Sequence, residues 1–129
     1  MIPPILLVED NEQNRYLATF LLEHHGYRVV AAPDGHAAIA LAEALNPSMV
    51  LLDIQLPTMD GYAVARALRA MPTLRDTPIV AVTSYAMPGD RERTLEAGCS
   101  GYVEKPIDPD TFLDTLVRLG LPPQDGAPP

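Results

Sequence analysis

Three carboxylates, one lysine and one threonine are positioned to share a reaction, although the chain spreads them from Glu9 to Lys105. Glu9 and Asp10 follow the apolar run Ile5-Leu6-Leu7-Val8, and Asp53 closes Val50-Leu51-Leu52. Thr83 closes Ile79-Val80-Ala81-Val82, and Lys105 follows Tyr102-Val103-Glu104. Carboxylates packed together repel one another, so at neutral pH such a cluster needs a cation or must hold protons. Hard oxygen donors completed by water suit Mg²⁺ better than softer metals. A carboxylate is also a competent nucleophile toward phosphorus and forms an aspartyl phosphate. The transferred group then needs positive charge and hydrogen-bond donors. Mg²⁺ and Lys105 supply the charge, and Lys105 and the Thr83 hydroxyl supply donors. The residue types predict a phosphoryl group on Asp53.

That chemistry requires elements that bring distant residues to one place. Five short apolar runs read as strands: Ile5 to Val8, Arg28 to Ala32, Met49 to Leu52, Ile79 to Val82 and Gly101 to Val103. The first, third and fourth are almost continuously apolar, which predicts burial on both faces of a parallel sheet. Helical spacing lies between them. One stripe uses Leu17, Phe20 and Leu21, and a second uses Ala38, Leu41, Ala42 and Leu45. A third uses Ala65 and Leu68, and the last uses Phe112, Leu113, Leu116 and Val117. Asp10 with Gln13 reads as a capping box, Gly26 as the stop of that first helix, and Asp108-Pro109 as the start of the last. The alternation predicts an α/β fold, a doubly wound five-stranded parallel sheet with helices on both faces. In such a sheet the C-terminal strand ends share one edge, where ligands bind, so Glu9, Asp10, Asp53, Thr83 and Lys105 converge there.

Composition narrows the alternatives. A chain of 129 residues fits one domain, and 47% hydrophobic content suffices for a core. We expect a folded domain over residues 1–120 and a Pro-rich tail or linker over 121–129. The net charge of −8, with Lys105 the single lysine, argues against nucleic-acid and anionic-membrane partners. No apolar stretch approaches the ~20 residues that cross a bilayer, and the expected setting is the cytoplasm. A lone Cys99 excludes an intrachain disulfide; it reads as a small buried residue. His24 and His25 are adjacent and make a poor chelating pair. The run Asp90-Arg91-Glu92-Arg93 reads as a solvated helix face.

Four pieces of the chain, in order, carry a family resemblance. They are Leu7-Val8-Glu9-Asp10-Asn11, the run Asp53-Ile54-Gln55-Leu56-Pro57-Thr58-Met59-Asp60-Gly61, Val82-Thr83-Ser84-Tyr85-Ala86, and Tyr102-Val103-Glu104-Lys105-Pro106. Across residues 4 to 119 the chain resembles the receiver domains of two-component response regulators. It looks most like single-domain regulators of the cell-division type and receivers fused to hybrid sensor kinases.

The resemblance implies a flavodoxin-like receiver fold with Asp53 as phosphoacceptor. It implies Mg²⁺ held by Asp10, Asp53 and the backbone carbonyl of Gln55, with Glu9 acting through water. Lys105 would pair with the phosphoryl oxygens and Thr83 would hydrogen-bond to them, letting Tyr102 turn inward as a switch. Gln55 and Tyr85 would tune the phosphoryl lifetime, and the Lys105–Pro106 bond would be cis. The implied phosphoryl donor is a sensor histidine kinase or a histidine phosphotransfer protein. The implied output is a downstream protein bound at the fourth helix, fifth strand and fifth helix, and the only catalysis is of the domain's own phosphorylation and dephosphorylation.

The alternative is a Mg²⁺-dependent phosphohydrolase with an aspartyl-phosphate intermediate. Such enzymes carry Asp-x-Asp after the first strand, where this chain reads Glu9-Asp10-Asn11-Glu12. A nucleotide-binding module is excluded more firmly, since no Gly-rich phosphate loop follows the first strand.

Overall fold

The computed structural model describes residues 2–56, 59–84 and 89–123. Among them, strands and helices alternate as β1 (Ile5–Val8), α1 (Glu12–His24), β2 (Val29–Ala32), α2 (Gly35–Leu45), β3 (Met49–Asp53), α3 (Gly61–Arg69), β4 (Ile79–Thr83), α4 (Asp90–Glu96), β5 (Gly101–Glu104) and α5 (Phe112–Arg118). The sheet is parallel throughout, in the order β2-β1-β3-β4-β5. Chain order reverses between β1 and β3, so the crossovers on either side leave by opposite faces and open a crevice at the C-terminal strand ends.

Burial follows the strand sequences. Every residue of β1, β3 and β4 is buried, whereas the edge strands β2 and β5 are partly open. Because side chains alternate across a strand, each central strand feeds two cores. Leu6, Val8, Val50, Leu52, Ile79 and Ala81 pack beneath α2, α3 and the segment after α4. Ile5, Leu7, Met49, Leu51, Val80 and Val82 meet Ala18 and Leu22 of α1 and Phe112 and Leu116 of α5. Each fully buried aliphatic side chain contributes about 1.5–3 kcal/mol, and this central stack holds the functional edge in place.

Helix starts are set by short polar side chains. The Asp34 carboxylate accepts from the Ala37 amide at the start of α2, and Asp60 accepts from the Tyr62 amide at the start of α3. The first helix departs from expectation. Asn11, not Asp10, is its cap, accepting the Asn14 amide through Oδ1 at 2.9 Å. Asn11 has extended backbone one residue before the helix, so its side chain reaches the orphan donor; Asp10 lies a residue too early and is exposed.

The apolar stripe of α1 is also rotated. Ala18 and Leu22 are buried, Leu17 and Leu21 half-buried, and Phe20 is 54% exposed. Phe20 stacks instead between Tyr16 and His24 on the outer face, with ring centroids 6.3 and 6.0 Å away. At α5 the helix begins at Phe112, three residues beyond Pro109, because residues 109–111 form a turn whose amides at Thr111 and Phe112 return to the Asp108 carbonyl. Val117, placed in its apolar stripe, is 50% exposed.

The folded body extends past residue 120. Leu121 is 2% exposed, its amide bonds to the Leu116 carbonyl, and the Tyr27 hydroxyl donates to the Pro122 carbonyl at 2.9 Å. The proposed start of the tail at 121 therefore shifts beyond Pro122, since Leu121 fills the α1/α5 core. Pro57, Tyr85, Ala86 and Met87, and with Tyr85 one of the two tuning positions, lie outside the described residues. No described helix is long and apolar enough to cross a membrane.

Candidate phosphoacceptor site

The five chemistry-bearing residues stand at the C-terminal edge of the sheet. Asp53 is the last residue of β3 and Thr83 the last of β4; Glu9 and Lys105 directly follow β1 and β5. Asp53, Glu9 and Thr83 are 2, 4 and 7% exposed, so two carboxylates are held almost out of water beside a hydroxyl. Burying such charges requires counter-charge and donors.

Lys105 is that counter-charge. Its Nζ lies 3.0 Å from Asp53 Oδ2 and 3.1 Å from Glu9 Oε1, bridging the ends of β1 and β3 from the far side of β4. Burial alone would lower the ammonium's pKa, but the Asp53 and Glu9 carboxylates outweigh it and hold the group above its ordinary value. The backbone supplies further donors. The Gln55 amide bonds to Asp53 Oδ1 at 2.9 Å, and the Asn11 amide to Glu9 Oε2 at 3.2 Å.

Glu9 bears the strain of this crowding. Burial first, then the adjoining Asp53 carboxylate, pushes its pKa up to about 7, against the opposing pull of Lys105 and the Asn11 amide. A carboxyl of that kind is ready to exchange its proton for a cation. Glu9, Asp10 and Asp53 each offer a carboxylate oxygen, and these atoms lie within 4.8 Å of one another. Two of the residues are buried and Asp10 is exposed, so the cluster opens to water on one side. Hard oxygen donors with an open, hydrated side fit Mg²⁺.

Several positioning contacts had no signal in the sequence. Arg15, about one turn along α1, reaches back to donate to the Glu9 carbonyl at 3.0 Å and pins the β1–α1 turn. Gln55 Oε1 accepts the Ser84 amide at 3.3 Å, linking the loops after β3 and β4. Gly61 lets α3 start hard against the site, since a Cβ there would lie 2.4 Å from the Ile54 Cα. Each depends on where two loops meet, which spacing along the chain does not encode.

Tyr102 lies apart from the acidic cluster. It is half-buried on β5, opposite Ala81 of β4, and lines a cavity of about 210 Å³ with Arg91, Thr94, Leu95 and Leu119. The Lys105–Pro106 bond is cis. Cys99 is buried, and burial pushes its thiol up to about 11, which leaves it inert as a nucleophile at neutral pH.

A doubly wound five-stranded sheet with an acidic triad and a lysine at its C-terminal edge defines a CheY-like receiver architecture. Residues 5–117 match the response regulator receiver domain, and the chain belongs to that family. It is 40% identical over 116 residues to the polar-differentiation response regulator DivK of Brucella ovis, covering 90% of this chain and 94% of the relative. Among solved structures it resembles the receiver domain of a Pseudomonas aeruginosa sensor histidine kinase, which has a magnesium ion coordinated in its active-site cleft. That match has a TM-score of 0.83 and 39% identity, covering 92% of this chain and 98% of the other. The chemotaxis protein CheY4 of Vibrio cholerae superposes with a TM-score of 0.88 at 29% identity, covering 92% and 99%.

Proposed function

We propose that this receiver is switched by a phosphoryl group on Asp53, delivered from the phosphohistidine of a sensor histidine kinase or histidine phosphotransfer protein. The observation that carries the reading is the Lys105 bridge, an ammonium 3.0 Å from a nearly dry carboxylate that is also hydrogen-bonded by the Gln55 amide. Asp10, Asp53 and the Gln55 carbonyl would hold Mg²⁺, with Glu9 acting through water, as the magnesium-containing Pseudomonas aeruginosa neighbour supports. When bound, Mg²⁺ neutralises charge that develops on the phosphoryl oxygens.

In the transfer an Asp53 oxygen forms the new P–O bond while the donor's P–N bond breaks, and the imidazole leaves carrying its proton. Lys105 passes from the bare carboxylate to the phosphoryl oxygens, and the Thr83 hydroxyl donates to them. The domain thereby catalyses its own phosphorylation, and attack by water on the phosphorus breaks the bond to the Asp53 oxygen, releases inorganic phosphate and returns the domain to rest. The phosphoryl group carries nearly two negative charges where the ionised Asp53 carboxylate carried one. Thr83 is drawn toward that charge, Tyr102 turns inward behind it, and the face formed by α4, β5 and α5 is re-presented to a protein partner. We assign the tuning of the phosphoryl lifetime to Gln55, whose Oε1 accepts the Ser84 amide, and to Tyr85. We assign the switch to the cytoplasm, where its kinase donors act. A phosphohydrolase reading is not favoured, because the candidate nucleophile follows β3 and the first strand is followed by Glu9-Asp10-Asn11.

Intact mass tests the reading. With Mg²⁺ and phosphoramidate the chain should gain one phosphoryl group, and Asp53→Asn should gain none while keeping its fold by circular dichroism. Uptake by the variant equal to wild type would remove Asp53 from the role.

A further inference from the structure

The turn between β1 and α1 has a task that an extended strand cannot perform. Along a strand successive side chains point to opposite faces, so Glu9 and Asp10, as neighbours, would face apart. Instead Glu9, Asp10 and Asp53 each offer a carboxylate oxygen within 4.8 Å of the others, with Glu9 buried and Asp10 exposed. The backbone must therefore leave the sheet between Glu9 and Asp10, and something must hold it there.

The hydrogen bonds show what does. The Glu9 amide makes the last bond of the ladder with β2, to the Ala32 carbonyl at 3.1 Å. β2 ends at Ala32 and Asp34 already caps α2, so the ladder has no further strand residue to offer the Glu9 carbonyl. Arg15 takes that place, its Nη1 donating to the Glu9 carbonyl at 3.0 Å. The Arg15 amide bonds to the Asn11 carbonyl at 3.0 Å, and the Asn11 amide bonds to Glu9 Oε2 at 3.2 Å. One residue about a turn into α1 thus grips both ends of Glu9-Asp10-Asn11, and Asp10 sits where that grip leaves it. Arg15 is half-buried, and a guanidinium stays charged at any ordinary pH, so the grip does not depend on a proton.

Lys105, the other cation at this edge, is differently placed. Its ammonium lies 3.0 and 3.1 Å from the Asp53 and Glu9 carboxylates, on the groups a metal ion would claim. Arg15 lies on a main-chain carbonyl and can stay in place while those carboxylates change partner.

We propose that Arg15 is a positioning residue for the metal site, setting the turn that brings Asp10 within reach of an ion shared with Asp53. The metal part rests on the receiver reading above; the restraint on the turn does not.

Charge and positioning predict opposite signs, which makes the test sharp. Removing a cation from beside three carboxylates would, by charge alone, tighten Mg²⁺ binding. Removing the donor that shapes the turn would weaken it. Arg15→Met, which keeps the aliphatic stem and the helix propensity, should raise the Mg²⁺ Kd about ten-fold, read from amide chemical shifts in a Mg²⁺ titration. Arg15→Lys, which restores a donor on a long stem, should recover most of that loss. Without metal, the Asn11 amide should exchange about three- to ten-fold faster in Arg15→Met, with the Leu22 amide further along α1 unchanged. Over a wild type that binds the ion, a Kd in Arg15→Met that is unchanged or lower would overturn the positioning role. So would an equal loss in Arg15→Lys. Equal acceleration at Leu22 would overturn the restraint on the turn, leaving Arg15 a support of the helix as a whole. A wild type whose shifts ignore Mg²⁺ would sink the metal site of the receiver reading instead, and Asn11 exchange would then decide the restraint alone.

Discussion

At the scale of single residues, Glu9 is where burial and function conflict most directly. Its pKa in the fold, about 7, exceeds its ordinary value of 4.5, so the folded state binds the proton more tightly than the unfolded chain does. The stability tied to that proton is fully present below about pH 4.5 and is lost as pH rises through about 7. Glu9→Gln, which cannot ionise, should therefore gain on wild type between pH 5 and pH 8, by on the order of 1–3 kcal/mol. Urea midpoints measured without Mg²⁺ check this, and a difference that stays flat with pH would contradict the assignment. Lys105 makes the complementary case. Lys105→Ala leaves Asp53 and Glu9 facing each other without their cation, which should cost on the order of 3–5 kcal/mol at pH 8. Millimolar Mg²⁺ should restore much of that stability if the carboxylates hold the ion. Failure to restore any would argue against the metal cluster.

At the scale of elements, the β1–α1 turn separates two tasks that one residue was expected to combine. Asn11 caps the helix through its side chain, and Asp10 next to it stays exposed in the acidic cluster. Asn11→Ala should lower stability by about 0.5–2 kcal/mol, the usual value of a lost cap. Asp10→Ala should leave stability within about 0.5 kcal/mol and instead weaken Mg²⁺ binding, read by calorimetry. If Asp10→Ala destabilised the fold as much as Asn11→Ala, the capping assignment would be wrong. The division has a simple cause: a cap must sit one residue before the first helical residue, and a ligand must sit where the strand end aims it.

At the scale of the whole molecule, the body is closed on the side remote from the site by contacts between chain ends. Leu121 enters the α1/α5 core, Tyr27 holds the Pro122 carbonyl, and Arg28 donates to the Ile2 carbonyl at 2.9 Å. Leu121→Ala should cost about 2–5 kcal/mol, as for other fully buried leucines. A thermal unfolding shift close to zero would return residue 121 to the tail. Tyr27 and Pro122 stand almost a hundred positions apart, and nothing near Leu121 in the chain marks it as core.

By itself, the sequence determined the alternation of strands and helices, the buried central strands and the one-sided gathering of Glu9, Asp10, Asp53, Thr83 and Lys105. Those features follow from local apolar runs and from a topological rule, both of which act along the chain. Only the tertiary structure decided the rotation of α1 that exposes Phe20, the reach of Arg15 to Glu9, the Gln55–Ser84 link, the Arg69 hydrogen bonds to the Gly98, Leu74 and Arg75 carbonyls and the stacking of Arg93 on Tyr62. A helix with several adequate apolar positions is turned by the surface it meets, so Ala18 and Leu22 face inward because they fit close to the sheet. Arg69 and Arg93 differ in partner for the same reason: an arginine's role depends on which carbonyls or rings come within its reach, and that is settled when the layers pack.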